Sequence, residues 1–307
     1  MLYIDKYVQM FKAKGQKYEI VDNQLFVRQK QWIMPCGPSS QAYRLNSKSC
    51  NYILKKLGGL WVMWTDGFLP CQNAREWYSV ICSRHTSVDE LASSKRRNEI
   101  RRALKECEVR RVAIEEIACH GYETYCAAIL RYNASGQGDI PTQEKFSQKV
   151  MTDKPFADIR HQWAVYHEGK MIAFAQNLIF DKEEVNYSLI KLHPQYLKHY
   201  PAYALIYRMN EYYLQEQGFS YVNDGFRSIS HDTGIQDFLI KKFGFEKAYT
   251  GLHMHYRPPF GCAMALSRPF RCIASKVFPP INTLFKLDQI SRNAHCIVSQ
   301  NENTDHE

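Results

Sequence analysis

Nowhere in its 307 residues does the chain have a run of about 18 consecutive apolar residues, so no segment reads as a membrane-spanning helix. Its first residues, MLYIDKYVQMFKAKG, lack the apolar core and small-residue cleavage site of a secretion signal, which predicts a cytoplasmic protein. Cysteine occurs ten times, from Cys36 to Cys296, but never as C-x-x-C. Scattered thiols of this kind fit a reduced interior and neither a disulfide frame nor a zinc ribbon. His253 and His255 would share one face of a strand as a potential metal pair, but no third ligand is in view, so no metal is expected.

The length suits two domains, and 45% hydrophobic residues are enough to fill sizeable cores. The net charge of +9 points to acidic partners: nucleotide phosphates, tRNA or an anionic membrane surface. Much of it lies between Lys95 and Arg111, where eight Lys and Arg residues crowd one helix and its exit. The plain reading of such a run is a solvated helix face. From Pro258 to Asp288 basic residues alternate with aromatic and aliphatic ones; such a tail either packs onto the domain or lies on an anionic bilayer. From Ser299 onward the residues are polar and are expected to be disordered.

The stretch from Asn186 to Phe245 is the most informative. It reads as strand (Val185 to Leu192), loop, helix (Ala202 to Gln217, with Leu205, Met209, Tyr212 and Tyr213 on one face), second strand (Tyr221 to Asn223), loop and short helix. Two strands joined by a helix make a right-handed crossover, which forces them parallel and brings the helix start beside the end of the first strand. First-turn amides and the helix dipole favour a phosphate there, and Lys198 and His199 would add donors.

Upstream, Gln162 to His167, Met171 to Phe180 and Val185 to Leu192 read as an antiparallel meander turning at Glu168-Gly169 and Asp181-Lys182. Ser87-x-x-Glu90 is a capping box and predicts the start of a helix running through ELASSKRRNEIRRALKEC. A strand from Val109 to Ile114 and a helix from Tyr122 to Tyr132 follow. The polar loop Asn133 to Gln143 is either a connector or a substrate-facing loop. Residues 1 to 86 mix short strands (QLFVRQ, QWIMPC, GLWVMW, EWYSVIC) with a helix in CNYILKKL, and the aromatic strand GLWVMWTDG reads as core.

The ordered set of strand, loop, helix ending at Gly218, strand ending in Asn223-Asp224-Gly225, and FLIKKFGF (Phe238 to Phe245) resembles the core of the GCN5-related N-acyltransferase (GNAT) superfamily. Within it, Pro201, Leu205, Gly218 and Asp224-Gly225, with Lys95, Arg97, Ile100, Ala103 and Lys105 upstream, resemble the Fem-type (FemABX) transferases. The resemblance spans roughly Ser87 to Tyr256. It implies an α/β (α+β) fold: a GNAT-like mixed sheet with a splayed parallel strand pair and flanking helices, preceded by a smaller, reduced GNAT-like half. The implied division is 1–86, 87–257 and a tail, 258–307.

The resemblance further implies an N-acyltransferase that moves an acyl group from acyl-CoA (acetyl-CoA) to an amine of a sugar, peptide or lipid-linked precursor. Two alternatives remain: a Fem-type transferase using aminoacyl-tRNA, and a non-catalytic binding module. The acyl-CoA branch carries a glycine-rich turn where this chain reads KHYPAYAL, with Ala202 and Ala204 as its small residues; Fem-type proteins lack the glycine turn. The donor contacts implied are the strand at Ser188, Ile190 and Leu192 and the loop at Lys198, His199, Tyr200, Ala202 and Tyr203. Asp224 and His231 follow the second strand as candidate general bases, and Asp224 in Asn-Asp-Gly reads equally as a turn former alone. Asn186, Asn223 and Arg227 are candidates for holding the acceptor.

Overall fold

In the computed structural model, which describes residues 3–69, 76–132, 140–229, 234–271 and 281–304, the chain opens with a helix not anticipated from the sequence, α1 (Tyr3–Ala13), burying Tyr7, Met10 and Phe11. Tight turns with Asp22, Asn23 and Lys30 at positive φ connect β1 (Tyr18–Val21), β2 (Gln24–Gln29) and β3 (Trp32–Pro35). In α2 (Ser47–Leu57), Asn46 Oδ1 accepts the Ser49 amide at 2.9 Å and Gly58, at φ +77°, ends the helix. This helix returns the chain parallel to β3 as β4 (Trp61–Thr65). Phe26, Ile33, Ile53, Leu57 and Val62 form the core they share; of the aromatic strand, Val62 is in it, Trp64 packs half-buried against it, and Trp61 is half-buried.

After β5 (Tyr78–Cys82) come α3 (Ser94–Glu106), β6 (Glu108–Val112), α4 (Ile114–His120), α5 (Tyr122–Tyr132) and α6 (Gln143–Met151). The expected meander is present as β7 (Arg160–His167), β8 (Lys170–Phe180) and β9 (Glu184–Leu192). Its turns hold Glu168, Gly169 and Asp181 at positive φ. A 3₁₀ turn, Pro194–His199, leads to α7 (Pro201–Asn210) and a π-helical turn, Glu211–Glu216. The chain ends with β10 (Tyr221–Phe226), α8 (Ile235–Phe243), β11 (Glu246–Tyr249), β12 (Leu252–Tyr256), α9 (Pro258–Ser267) and α10 (Ile281–Thr304).

One sheet has the order β1-β2-β3-β4-β12 and the other β11-β5-β10-β9-β8-β7-β6. The chain clusters into two compact units, 1–79 with 226–234 and 247–307, and 80–225 with 235–246, so each unit draws on more than one contiguous segment of the chain. Among the described residues no helix is long and apolar enough to cross a membrane.

Three expectations need correction. The capping-box contact exists, Ser87 N donating to Glu90 Oε2 at 2.8 Å, but it closes a turn; α3 begins seven residues later, where Ser93 Oγ accepts the Arg96 amide. Ile114 starts α4 instead of ending a strand. Residues 299–304, expected to be disordered, continue α10. Of the loop Asn133 to Gln143, residues 133–139 lie outside the described residues.

Candidate functional site

The second unit contains a parallel strand pair that parts. β10 pairs with β9 at Tyr221↔Glu184, Val222↔Val185 and Asn223↔Asn186, and no further. On the other side of β9 the β8 register moves from Gln176↔Leu189 to Leu178↔Asn186, so three steps on β9 match two on β8. The extra residue falls at Tyr187–Ser188, where the pairing with β10 stops. A bulge bends the strand that carries it. From Leu189 to Leu192, β9 therefore keeps a ladder partner on the β8 side while, past the bulge, a wedge opens toward β10.

The closed end of the wedge is clamped by a buried carboxylate. Glu184, 1% exposed, accepts hydrogen bonds from Tyr221 Oη at 2.8 Å, Asn223 Nδ2 at 3.1 Å and Asn186 Nδ2 at 3.3 Å. Buried polar atoms need such partners, and these come from both strands. Asn186 and Asn223 thus meet at the point where the strands separate.

Asp224 is the next residue on β10. Asn223 Oδ1 accepts the Gly225 amide at 2.7 Å, and Gly225 takes φ +92°, a kink that a side chain would strain. Burial pushes the Asp224 carboxyl up to about 7, against the opposing effect of a hydrogen bond from Gln236 at the start of α8. A carboxylate that titrates near neutrality is suited to proton transfer. Tyr187, fully buried on β9, donates from Oη to Asn210 Oδ1 at 2.8 Å. Its phenol is raised by burial first, then by the charges of Tyr213, Cys82 and Asp224. His231 lies outside the described residues.

The loop ahead of α7 is built differently from a glycine-rich turn. Tyr200 sits at φ +58°, Pro201 has no amide hydrogen, and the Tyr203 and Ala204 amides donate to Tyr200 O at 3.0 and 3.2 Å. That leaves the Ala202 amide as the first-turn donor directed out of the helix. Lys198 is exposed. His199 Nδ1 lies 2.5 Å from Glu106 Oε2, and its ring centroid is 3.9 Å from that of His167. Arg102 and then His199 hold the Glu106 carboxyl below its usual range. Tyr203 packs between Phe238 and Phe243, with Lys242 over its ring and paired to Glu99 at 2.8 Å.

The remaining candidates are placed as follows. Ser188 is exposed and donates from Oγ to Gln176 O at 2.8 Å, while Ile190 and Leu192 are half-buried on β9. Arg227 belongs to the first unit, where Nη1 donates to Glu76 O at 2.8 Å. His253 bonds Asp66 at 2.6 Å and His255 bonds Asn51 at 3.0 Å through their Nε2 atoms.

The structure adds residues that the sequence does not single out: Tyr187, Asn210, Gln236 and His85. His85, Thr86, Tyr207, Asn210 and Lys242 help line a cavity of about 220 Å³. The His85 Nε2 is buried without a hydrogen-bond partner, and burial lowers the imidazole pKa. Tyr187 lies in the strand already read as central; strand alternation was the available signal, but the bulge shifts it.

The basic run is mostly satisfied within the chain. Arg101 pairs with Asp89 at 2.6 Å, Arg102 with Glu106 at 2.6 Å and Arg110 with Glu116 at 2.5 Å. Arg96 donates to Lys241 O, Arg97 to Leu91 O and Arg111 to Tyr212 Oη.

No family model matches the chain, and no curated protein matches it in sequence. Solved structures match its fold. The C-terminal domain (DUF2156) of a protein assigned as a lysylphosphatidylglycerol synthetase from Agrobacterium fabrum is similar at TM-score 0.51 and 10% identity, over 85% of this chain and 90% of that one. FemX is similar at TM-score 0.52 and 12% identity, over 82% of this chain and 91% of that one. The chain shares the fold of FemX and of that DUF2156 domain.

Proposed function

We propose that the protein is an N-acyltransferase that moves an acyl group from an acyl-CoA thioester to an amine, with Asp224 as the general base. One observation carries this reading: β9 and β10 part after three paired residues, and a carboxyl raised to about 7 stands at the parting. The fold shared with FemX supports it.

The donor's arm lies along the open side of β9 at Ser188, Ile190 and Leu192, where unpaired backbone groups can hold it and polarise the carbonyl. Its phosphates meet Lys198, His199, Tyr200, Ala202 and Tyr203 at the start of α7. The acceptor amine enters beside Asn186 and Asn223. Asp224 takes its proton as nitrogen attacks the carbonyl carbon; the C–N bond forms, the C–S bond breaks, and CoA leaves as the thiolate. His231 and Arg227 remain candidates by sequence alone, as a second base and as a contact for an acidic acceptor group. Sugar, peptide and lipid-linked amines are the acceptor classes.

Aminoacyl-tRNA as donor is the second reading. It is favoured by the single outward amide at the α7 start, too few for a pyrophosphate cradle. The internal pairing of the α3 cations favours CoA instead, because tRNA binding requires free cations. Thermal melts separate the two. Acetyl-CoA is expected to raise the melting temperature with rising concentration, and tRNA is expected to leave it unchanged. The reverse pattern would replace the first reading with the second, and no shift from either ligand would overturn both.

A further inference from the structure

The ten residues of α9, PPFGCAMALS, include no charged side chain, yet Met264 is the one that is buried. Leu266 is 76% exposed, and Phe270 in the turn that follows is 61% exposed. Cys262, Ala263 and Ala265 are exposed beside them. A helix that is apolar all round is normally covered, and a contiguous apolar face left in water marks a contact surface.

The helix is firmly attached on its other side. Phe260 stacks on Trp61 at 5.9 Å, and at the far end Arg268 makes two bonds to the buried Asp288, at 3.0 and 2.9 Å. The exposed face is therefore presented on an anchored element.

Charge selects the occupant. From Arg257 to Arg271 the sequence has three arginines and no carboxylate. Arg271 is exposed and reaches the neutral amide of Gln289 at 3.3 Å, so its charge is not cancelled by that contact. Arg268 is held by Asp288 and Arg257 by Leu54 O, so Arg271 is the charge this face presents; a second copy would bring the same arginine against it, and like charges disfavour that pairing. An anionic bilayer supplies both an apolar layer for Leu266 and Phe270 and negative headgroups for the arginine beside them. We propose that α9 and the turn after it seat the protein on the surface of an anionic phospholipid membrane, with Leu266 and Phe270 inserted and Arg271 at the headgroups. This surface is independent of the acyl-transfer reading.

The test is co-sedimentation of the full chain with vesicles of phosphatidylcholine alone and of phosphatidylcholine mixed with phosphatidylserine. Binding is expected to the mixed vesicles, to weaken as salt is raised, and to fall by about tenfold or more in a Leu266→Glu, Phe270→Glu double variant. Arg271→Glu is expected to weaken it several-fold. All three side chains are exposed, so an unchanged circular-dichroism melt shows that each variant is folded; Leu266→Ser with Phe270→Ser serves as a milder pair. Absent binding, equal binding to both vesicle types, or binding that both double variants retain would overturn the proposal. So would a dimer in light scattering that the variants dissociate, with no vesicle binding by the wild type.

Discussion

Burial raises Asp224 from 3.8 to about 7, so the folded protein holds its proton across a pH range in which the unfolded chain has released it. The contribution to stability is full below the unfolded value and is lost as pH rises through about 7. Asp224→Asn removes this titration. It is expected to stabilise the protein at about pH 8 by up to a few kcal/mol and to change little at about pH 4, as read from paired denaturant melts. Equal effects at both pH values would show that Asp224 is not a buried acid. The position of this residue was legible in part: the sequence pattern ends the strand after the crossover helix at Asn223, whereas β10 carries Asp224 within it and runs on to Phe226. Its titration was not, because the burial that raises it comes from packing that linear pattern does not show, and the Gln236 hydrogen bond only opposes the shift.

At the start of α7, Lys198 and His199 are the side chains proposed to meet donor phosphate. Replacing both with Ala is expected to lower acetyl-CoA affinity by about tenfold or more in calorimetry, in line with the loss of charge-assisted hydrogen bonds. Identical affinities would remove the loop from the site. The α3 cations carry the opposite expectation. With Arg97, Arg101 and Arg102 already bonded to Leu91 O, Asp89 and Glu106, their joint replacement by Glu is expected to leave tRNA retention weak and unchanged. Tight retention that is steeply salt-dependent and abolished by the reversal would contradict this.

The same elements mark how far local pattern reaches. The meander was legible because its strands alternate between tight turns. The start of α3 was not, because Ser87 and Ser93 both offer an N-terminal cap, and Arg97 bonded to Leu91 O favours the later one. The helix expected from Ala202 to Gln217 breaks into α7 and a π-helical turn that directs Tyr213 inward. There its hydroxyl receives hydrogen bonds from Trp163 Nε1 at 2.8 Å and Asn177 Nδ2 at 3.2 Å, partners that helical periodicity cannot reveal.

Taken over the whole chain, the net charge of +9 is a poor guide to partners, since within the basic run Arg101, Arg102 and Arg110 are paired with Asp89, Glu106 and Glu116. Residues 226–234 and 247–307 return to the first unit after the chain has passed through the second, an arrangement with no signal in linear composition. The wedge between β9 and β10 and the carboxyl beside it remain the centre of the functional account. The most direct test follows release of CoA thiol from acetyl-CoA in the presence of a panel of sugar, peptide and lipid-linked amines, for the wild type and for Asp224→Asn, on both sides of pH 7. Turnover is predicted to rise with pH through about 7 in the wild type, as Asp224 becomes the carboxylate that accepts the amine's proton, and to fall by about 10²-fold or more in the variant with that pH limb lost. Equal turnover and the same pH profile in a folded Asp224→Asn protein would contradict it.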